Sequence, residues 1–196
     1  MRVLIACEFS GRVREAFRAL GHDAWSCDLL PTEVNGPHIQ GDVIPLLNEG
    51  WDLMIAHPPC TYLANSGVRW LYGGKGSKRD EHRWHAMEDA ARFFRALLDA
   101  PIDRVAVENP IMHKYGKAII GRAHDQVVQP WQHGEGETKA TCLWLKGLQP
   151  LTPSQIVDGR KPRVHFAAPS SDRWKERSRT YQGIADAMAA QWGKER

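Results

Sequence analysis

The sequence predicts an α/β fold: a mostly parallel, doubly wound sheet with helices on both faces, built as a single domain over residues 1–196. Three observations predict it. Short apolar runs of strand length alternate with amphipathic helical patterns through the first half of the chain. Such alternation implies parallel strands joined by crossover helices. The length of 196 residues fits one domain and leaves no room for a second of full size. A content of 42% hydrophobic and 25% charged residues is ordinary for a globular chain, which excludes a disordered, collagen-like or coiled-coil class.

The elements follow in order. Residues 2–7 (RVLIAC) read as a buried strand. Over 11–20, Val13, Phe17 and Leu20 fall on one helical stripe, and Gly21 ends the helix. Residues 23–28 (DAWSCD) form a second strand, followed by a loop rich in Pro, Asn and Gly. Residues 39–43 (IQGDV) form a short third strand and 44–49 a helical turn. Residues 52–56 (DLMIA) form an apolar strand stopped by Pro58 and Pro59. The glycines and basic residues of 60–80 read as a long mobile loop. Met87, Ala91, Phe94 and Leu98 give 81–99 a helical apolar face. Residues 103–107 (DRVAV) are a further strand, ending at Glu108-Asn109-Pro110. A loop, a strand near 139–145, a basic irregular stretch and a helix over about 182–192 complete the chain.

In open parallel sheets, ligands bind beyond the carboxyl ends of the strands. The unusual polar residues stand there. Glu8, Phe9, Ser10 and Gly11 follow the first strand, Asp28 ends the second and Asp42 belongs to the third. His57, Pro58, Pro59 and Cys60 follow the fourth, and Glu108, Asn109 and Pro110 close the fifth.

The net charge of +3 permits an acidic partner such as nucleic acid without requiring one. Eight tryptophans serve either to pack a core or to stack on bases. With no apolar run of about 18 residues and no basic segment, apolar core and cleavage site at the start, the expected location is the cytoplasm. There the four separated cysteines are reduced thiols. Cys7, Cys27 and Cys142 lie in apolar strands and read as structural.

The loop CEFSGRVREAF carries one glycine where a dinucleotide fingerprint needs three, so a nicotinamide site is poorly supported. Gly11 still lets a ligand approach the backbone. Asp28 either accepts from ribose hydroxyls or caps a turn, and Asp42 either accepts from an exocyclic amine or caps the following helix. In His57-Pro58-Pro59-Cys60, two prolines make a stiff turn without backbone donors. A thiol held by that turn at a cleft mouth is a candidate nucleophile, against the commoner fate of a buried structural cysteine. Glu108 is its natural partner: a carboxyl in a partly dry site keeps a raised pKa and exchanges a proton. A thiol and an acid suit activation of a pyrimidine ring. The thiolate adds to C6, the acid serves N3, and C5 becomes nucleophilic toward an electrophilic methyl group.

Phe9-Ser10-Gly11, Cys27-Asp28, Gly41-Asp42, Pro58-Pro59-Cys60 and Glu108-Asn109, in that order and each after an expected strand, resemble the motifs of the S-adenosylmethionine-dependent DNA (cytosine-5)-methyltransferases. The resemblance implies a class I methyltransferase, Rossmann-like fold, with cofactor and nucleophile motifs in 1–110. It implies a cofactor site of Phe9, Ser10, Gly11, Asp28, Asp42 and Pro58, with Phe9 stacking on S-adenosylmethionine, Asp28 on its ribose and Asp42 on its adenine. It makes Cys60 the nucleophile and Glu108 the acid, and places Pro59 and Asn109 with the substrate. More faintly, Thr138-Lys139-Ala140-Thr141 matches the start of the family's basic strand. The family's arginines are absent there, so Lys139 is the catalytic substitute, with Thr141 beside the base. Tyr181-Gln182-Gly183-Ile184-Ala185 resembles the last motif, which closes the cofactor pocket. Short chains of this pattern occur in phage genomes.

Typical members carry a large target-recognition insert; here 146–180 is a short basic segment in its place. Between 158 and 179 lie seven Lys/Arg, among them Arg163, Arg177 and Arg179, against Asp158, Asp172 and Glu176, with Trp174 in their midst. That composition suits DNA phosphates and one stacked base, or a solvated loop. Arg69, Lys75, Lys78, Arg79 and Arg83 form a second basic stretch, where Gly73, Gly74 and Gly76 suit a lid over a flipped base. Two other readings keep the fold: the same chemistry on a free pyrimidine nucleotide, and a non-catalytic nucleic-acid-binding module. An amino-methyltransferase is disfavoured by His57 and Cys60 flanking the prolines. The spacings His57-x-x-Cys60 and His82-x-x-His85 are weak zinc signals, and no metal site is expected.

Overall fold

A computed structural model describes residues 1–73, 78–163, 166 and 173–194 of the chain. Gly74, Lys75, Gly76 and Asp172, singled out above, lie outside the described residues.

Seven strands form one sheet: β1 (Arg2–Ala6), β2 (Asp23–Asp28), β3 (His38–Gln40), β4 (Leu53–Ala56), β5 (Val105–Pro110), β6 (Gln126–Val128) and β7 (Thr141–Lys146). Their order is β3-β2-β1-β4-β5-β7-β6. The first five run parallel, and β7 runs antiparallel to both β5 and β6. The carboxyl ends of β1 to β5 therefore share one edge.

Side chains alternate between the two faces of each strand. On one face Leu4, Met54, Val105, Val107 and Trp144 pack under α2 (Glu81–Leu98), which contributes Met87, Ala91 and Phe94. On the other, Val3, Ile5, Leu53, Ile55 and Leu143 pack under α1 (Arg12–Ala19) and α5 (Gln182–Trp192), which contribute Phe17, Ile184 and Met188. Phe17 and Phe94 are fully buried, each worth about 1.5–3 kcal/mol of burial. Phe94 meets Trp144 edge to face at 5.0 Å.

The expected strands and helices are found, with corrections at particular residues. β1 stops at Ala6, and Cys7 lies beyond it with φ 57°, a left-handed backbone unusual for a non-glycine residue. That turn delivers the Glu8 N–H to the Cys27 carbonyl at 3.1 Å. Cys7 is thus not a strand residue. β3 covers His38–Gln40 rather than 39–43, because Asp42 leaves the sheet to cap the next turn. β5 runs on through Glu108, Asn109 and Pro110, which pair with Leu143, Cys142 and Thr141 of β7. The mobile loop expected over 60–80 contains a 3-10 helix, Asn65–Leu71, anchored by buried Leu71 and by Trp84 Nε1 donating to the Leu71 carbonyl at 3.0 Å. The expected loop after β5 holds α3 (Lys114–Ile120) and β6, and the irregular basic stretch holds α4 (Arg173–Ser178).

Candidate active site

The carboxyl edge is built from the turns that end the parallel strands. After β1, Gly11 takes φ 73° to begin α1. The side of Gly11 that lacks a Cβ is occupied by the Arg14 guanidinium and Val34, so the close approach there is intramolecular rather than toward a ligand. Glu8 caps α1: its carboxylate accepts from Val13 N at 2.7 Å, Arg14 N at 3.3 Å and Ser10 Oγ at 3.1 Å. A negative group at a helix N-terminus is favoured by the exposed N–H groups and the dipole. Ser10 is thereby buried, with its hydroxyl donated to Glu8. Arg14 is fully buried and ties α1 to β2 through Ser26 Oγ at 2.9 Å and to the loop after β2 through the Val34 carbonyl at 2.7 Å.

Asp28 ends β2, and Asp42 lies two residues beyond β3. Each caps a turn, Asp28 toward Leu30 N at 2.9 Å and Asp42 toward Ile44 N at 3.0 Å. A carboxylate has about four lone-pair sites, so capping leaves capacity for a ligand. Burial holds the Asp28 carboxyl above its usual range against backbone hydrogen bonds. The Cys7 thiol is pushed up by burial and then by the charges of Asp28, Cys27 and Asp42, which places it among the carboxylates. Phe9 is buried, with the ring of Trp174 at 6.0 Å and 51°.

Toward β5, Pro58 is buried and Pro59 exposed. Cys60 is half-buried. Burial pushes its thiol up, the Glu108 charge adds to this, and Lys139 and Arg177 oppose it. Cys60, Glu108, Lys139 and Arg177 therefore share one electrostatic site. The Glu108 side chain is 16% exposed and faces the α1/α5 side, where a cavity of about 10 Å³ lies between it, Lys139, Thr141, Thr180 and Tyr181. That holds at most about one water molecule, so a base enters only if this side opens. The carboxyl of Glu108 was expected above its ordinary range. Burial does raise it, but the His57 hydrogen bond and the charges of Lys139 and His57 outweigh burial and hold it below.

The other site residues divide. Thr141 lines the cavity, and its hydroxyl donates to the Lys139 carbonyl at 3.2 Å. Lys139 Nζ donates to the Arg177 carbonyl at 2.7 Å. Arg177 is exposed, as is Arg163, whose charge reaches the Tyr181 phenol. Arg179 pairs with Glu33. Asn109 is fully buried on the opposite face of β5 from Glu108, and the structure does not bring it into the cleft. In the second basic stretch, Arg69 lies over Trp70, Arg79 over Trp84 and Arg83 over Tyr62, at 4.6, 4.1 and 5.2 Å. Sequence reasoning set Glu8 at the ligand-binding edge without a task, and gave Arg14 and the contact of His57 with Glu108 no role in the site. Among the described residues, no three His, Cys, Asp or Glu side chains are grouped to hold a metal ion, and no helix is long and apolar enough to cross a membrane.

This fold recurs in solved structures. A protein described as a DNA modification methyltransferase encoded within an E. coli prophage aligns at TM-score 0.51 and 15% identity, over 86% of this chain and 55% of that one. The Entamoeba histolytica methyltransferase EhMeth aligns at TM-score 0.46 and 12% identity, over 87% of this chain and 60% of that one. The chain spans a little over half the length of these structures. No family model and no curated relative matches it. The seven-stranded, mostly parallel sheet and the first of these likenesses define the fold as Rossmann-like, of the class I methyltransferase type.

Proposed function

We propose that the chain is an S-adenosylmethionine-dependent methyltransferase acting on C5 of cytosine in DNA. The observation that carries this reading is the meeting of Cys60, Glu108 and Lys139 at the carboxyl edge of the sheet. The likeness to a protein described as a DNA modification methyltransferase supports the substrate class.

The residues on the β1–β3 side suit the cofactor. Asp28 and Asp42 are acceptors for ribose hydroxyls and an amine, and Phe9 with Trp174 offers aromatic surface. When bound, S-adenosylmethionine supplies an electrophilic methyl group on a sulfonium sulfur. The chain's residues do the rest. The target base leaves the helix stack and enters beside Cys60. Lys139 and Arg177 favour the thiolate, which adds to C6 of the base. Glu108 must take up a proton as the base enters, and in that form its hydroxyl donates to N3 as negative charge develops on the ring. C5 would take the methyl group as the methyl–sulfonium bond breaks and its electron pair stays on sulfur; loss of the C5 proton to water then lets Cys60 leave as a thiolate and restores the aromatic ring. In this reading 1–196 is one methyltransferase domain, and 146–180 stands where a recognition domain would be, with Arg163 and Arg177 toward phosphates.

Purified chain is incubated with methyl-tritiated cofactor and DNA, RNA or deoxycytidine nucleotides, and the nucleosides are then separated. Label in 5-methyldeoxycytidine from DNA is the expected result. Label only in free nucleotide redirects the reading to a nucleotide enzyme, and cofactor or DNA binding without label makes the chain a binding module.

A further inference from the structure

The register that sets Ala56 beside Val107 carries β4 and β5 forward together, so the next pair is His57 and Glu108. His57 Nδ1 lies 3.4 Å from Glu108 Oε2. The His57 side chain is only 7% exposed, and its Nε2 is buried with no hydrogen-bond partner among the described residues.

An ionised carboxylate only accepts, so an attractive contact with Glu108 requires the proton on Nδ1. In a neutral ring Nε2 is then a bare lone pair. Buried acceptors without donors are rare in folded proteins and call for an explanation. The two ring nitrogens point to different sides of the imidazole. Nδ1 faces β5; on the other flank of β4 the sheet order sets β1 and β2, and the charge of His57 reaches the Asp28 carboxyl there and lowers it. His57 thus stands at the seam between the Asp28 side and the Glu108 side of the cleft. The charged groups that its ring meets are Glu108 on β5 and Asp28 on β2; Cys60 on its own loop and Lys139 before β7 act on the same Glu108 site.

We infer that His57 is a ligand-binding residue that joins the two halves of the site: Nδ1–H holds Glu108, and Nε2 accepts a hydrogen bond from a hydroxyl or ammonium group of the methyl-donor cofactor. The assignment rests on the cofactor reading proposed above. It goes beyond it by giving a role to a side chain that reading leaves idle.

Two substitutions separate contact from scaffolding. His57→Gln keeps an acceptor at about the reach of Nε2; His57→Asn keeps polar atoms only near the position of Nδ1. S-adenosylhomocysteine binding to the full chain is measured by calorimetry, with adenosine as a second probe that carries hydroxyls but no ammonium. His57→Asn should weaken S-adenosylhomocysteine about tenfold and His57→Gln by less than about threefold, the scale of one hydrogen bond. A loss repeated with adenosine assigns the donor to a hydroxyl; a loss confined to S-adenosylhomocysteine assigns it to the ammonium. Equal affinity of wild type and both variants overturns the inference and leaves the cofactor reading standing, whereas no binding by wild type overturns both. Ring-¹⁵N spectra of the wild-type chain serve if a variant does not fold. Nε2 of His57 should be unprotonated without ligand and shift on saturation with S-adenosylhomocysteine. A protonated Nε2, or one that does not move, overturns the inference.

Discussion

Arg179 holds Glu33 with two hydrogen bonds, Nε to Oε2 at 2.8 Å and Nη2 to Oε1 at 2.7 Å, across 146 positions of sequence. The pair fastens the segment around α4 to the loop after β2. Arg12 Nη1 on the Thr180 carbonyl and Lys139 Nζ on the Arg177 carbonyl add two more ties. Part of the basic segment expected to face phosphate is therefore a strap across the β1–β2 side of the carboxyl edge, with its Trp174 against Phe9.

Glu33→Gln should loosen this strap at a cost of about 1 kcal/mol or less at neutral pH, as partly exposed ion pairs do. The hydrogen bond from Arg179 leads the causes that hold the Glu33 carboxyl below its ordinary 4.5. A lowered folded-state pKa gives stability that is present above the unfolded value and lost as pH falls through the folded one. The melting temperatures of wild type and Glu33→Gln should therefore differ at neutral pH and converge in acid. A gap that persists in acid contradicts the assignment.

The Cys60 thiol should respond in opposite directions to its two charged neighbours. Glu108→Gln removes a charge that raises the thiol, so alkylation by iodoacetamide at neutral pH should speed up several-fold. Lys139→Met removes a charge that lowers it, so alkylation should slow. The pH midpoint of alkylation should fall in the first variant and rise in the second. Shifts of the same sign in both indicate a change of exposure instead.

At the start of α5, Gly183 lies against the loop of His133. A Cβ at Gly183 would collide with the His133 carbonyl, and the Gly183 N–H donates to Glu135 Oε1 at 3.0 Å. Gly183→Ala should cost about 1–3 kcal/mol, read as a lower denaturant midpoint with an unchanged slope. A neutral effect would mean that the loop gives way without cost.

Much of this was legible in the sequence because it is local. Val3-Leu4-Ile5-Ala6 and Leu53-Met54-Ile55-Ala56 are apolar on both faces, as strands buried under two helix layers must be. Met87, Ala91 and Phe94 repeat at helical spacing. The gathering of Cys60 and Glu108 followed from placing each after a parallel strand. The remainder depended on contacts between distant residues. α3 is only seven residues long, includes Gly116, and is capped by His113 Nδ1 accepting from Gly116 N at 3.1 Å, a residue type outside the usual capping set. Glu8 caps a helix it does not adjoin, which the left-handed backbone of Gly11 makes possible. The depressed Glu108 carboxyl depends on His57, and their contact exists only in the register of β4 against β5. Asn109 reads as Glu108's companion in sequence, yet the two-residue period of a strand sends it to the other face.

The proposed covalent role of Cys60 is tested most directly by incubating wild type and Cys60→Ser with methyl-tritiated S-adenosylmethionine and DNA, then locating the label by nucleoside analysis. The expected result is label at C5 of deoxycytidine with wild type and a loss of at least about a thousandfold with Cys60→Ser, the scale of removing a catalytic nucleophile, while both proteins melt alike. Label on another atom, or undiminished transfer by Cys60→Ser, would contradict the account.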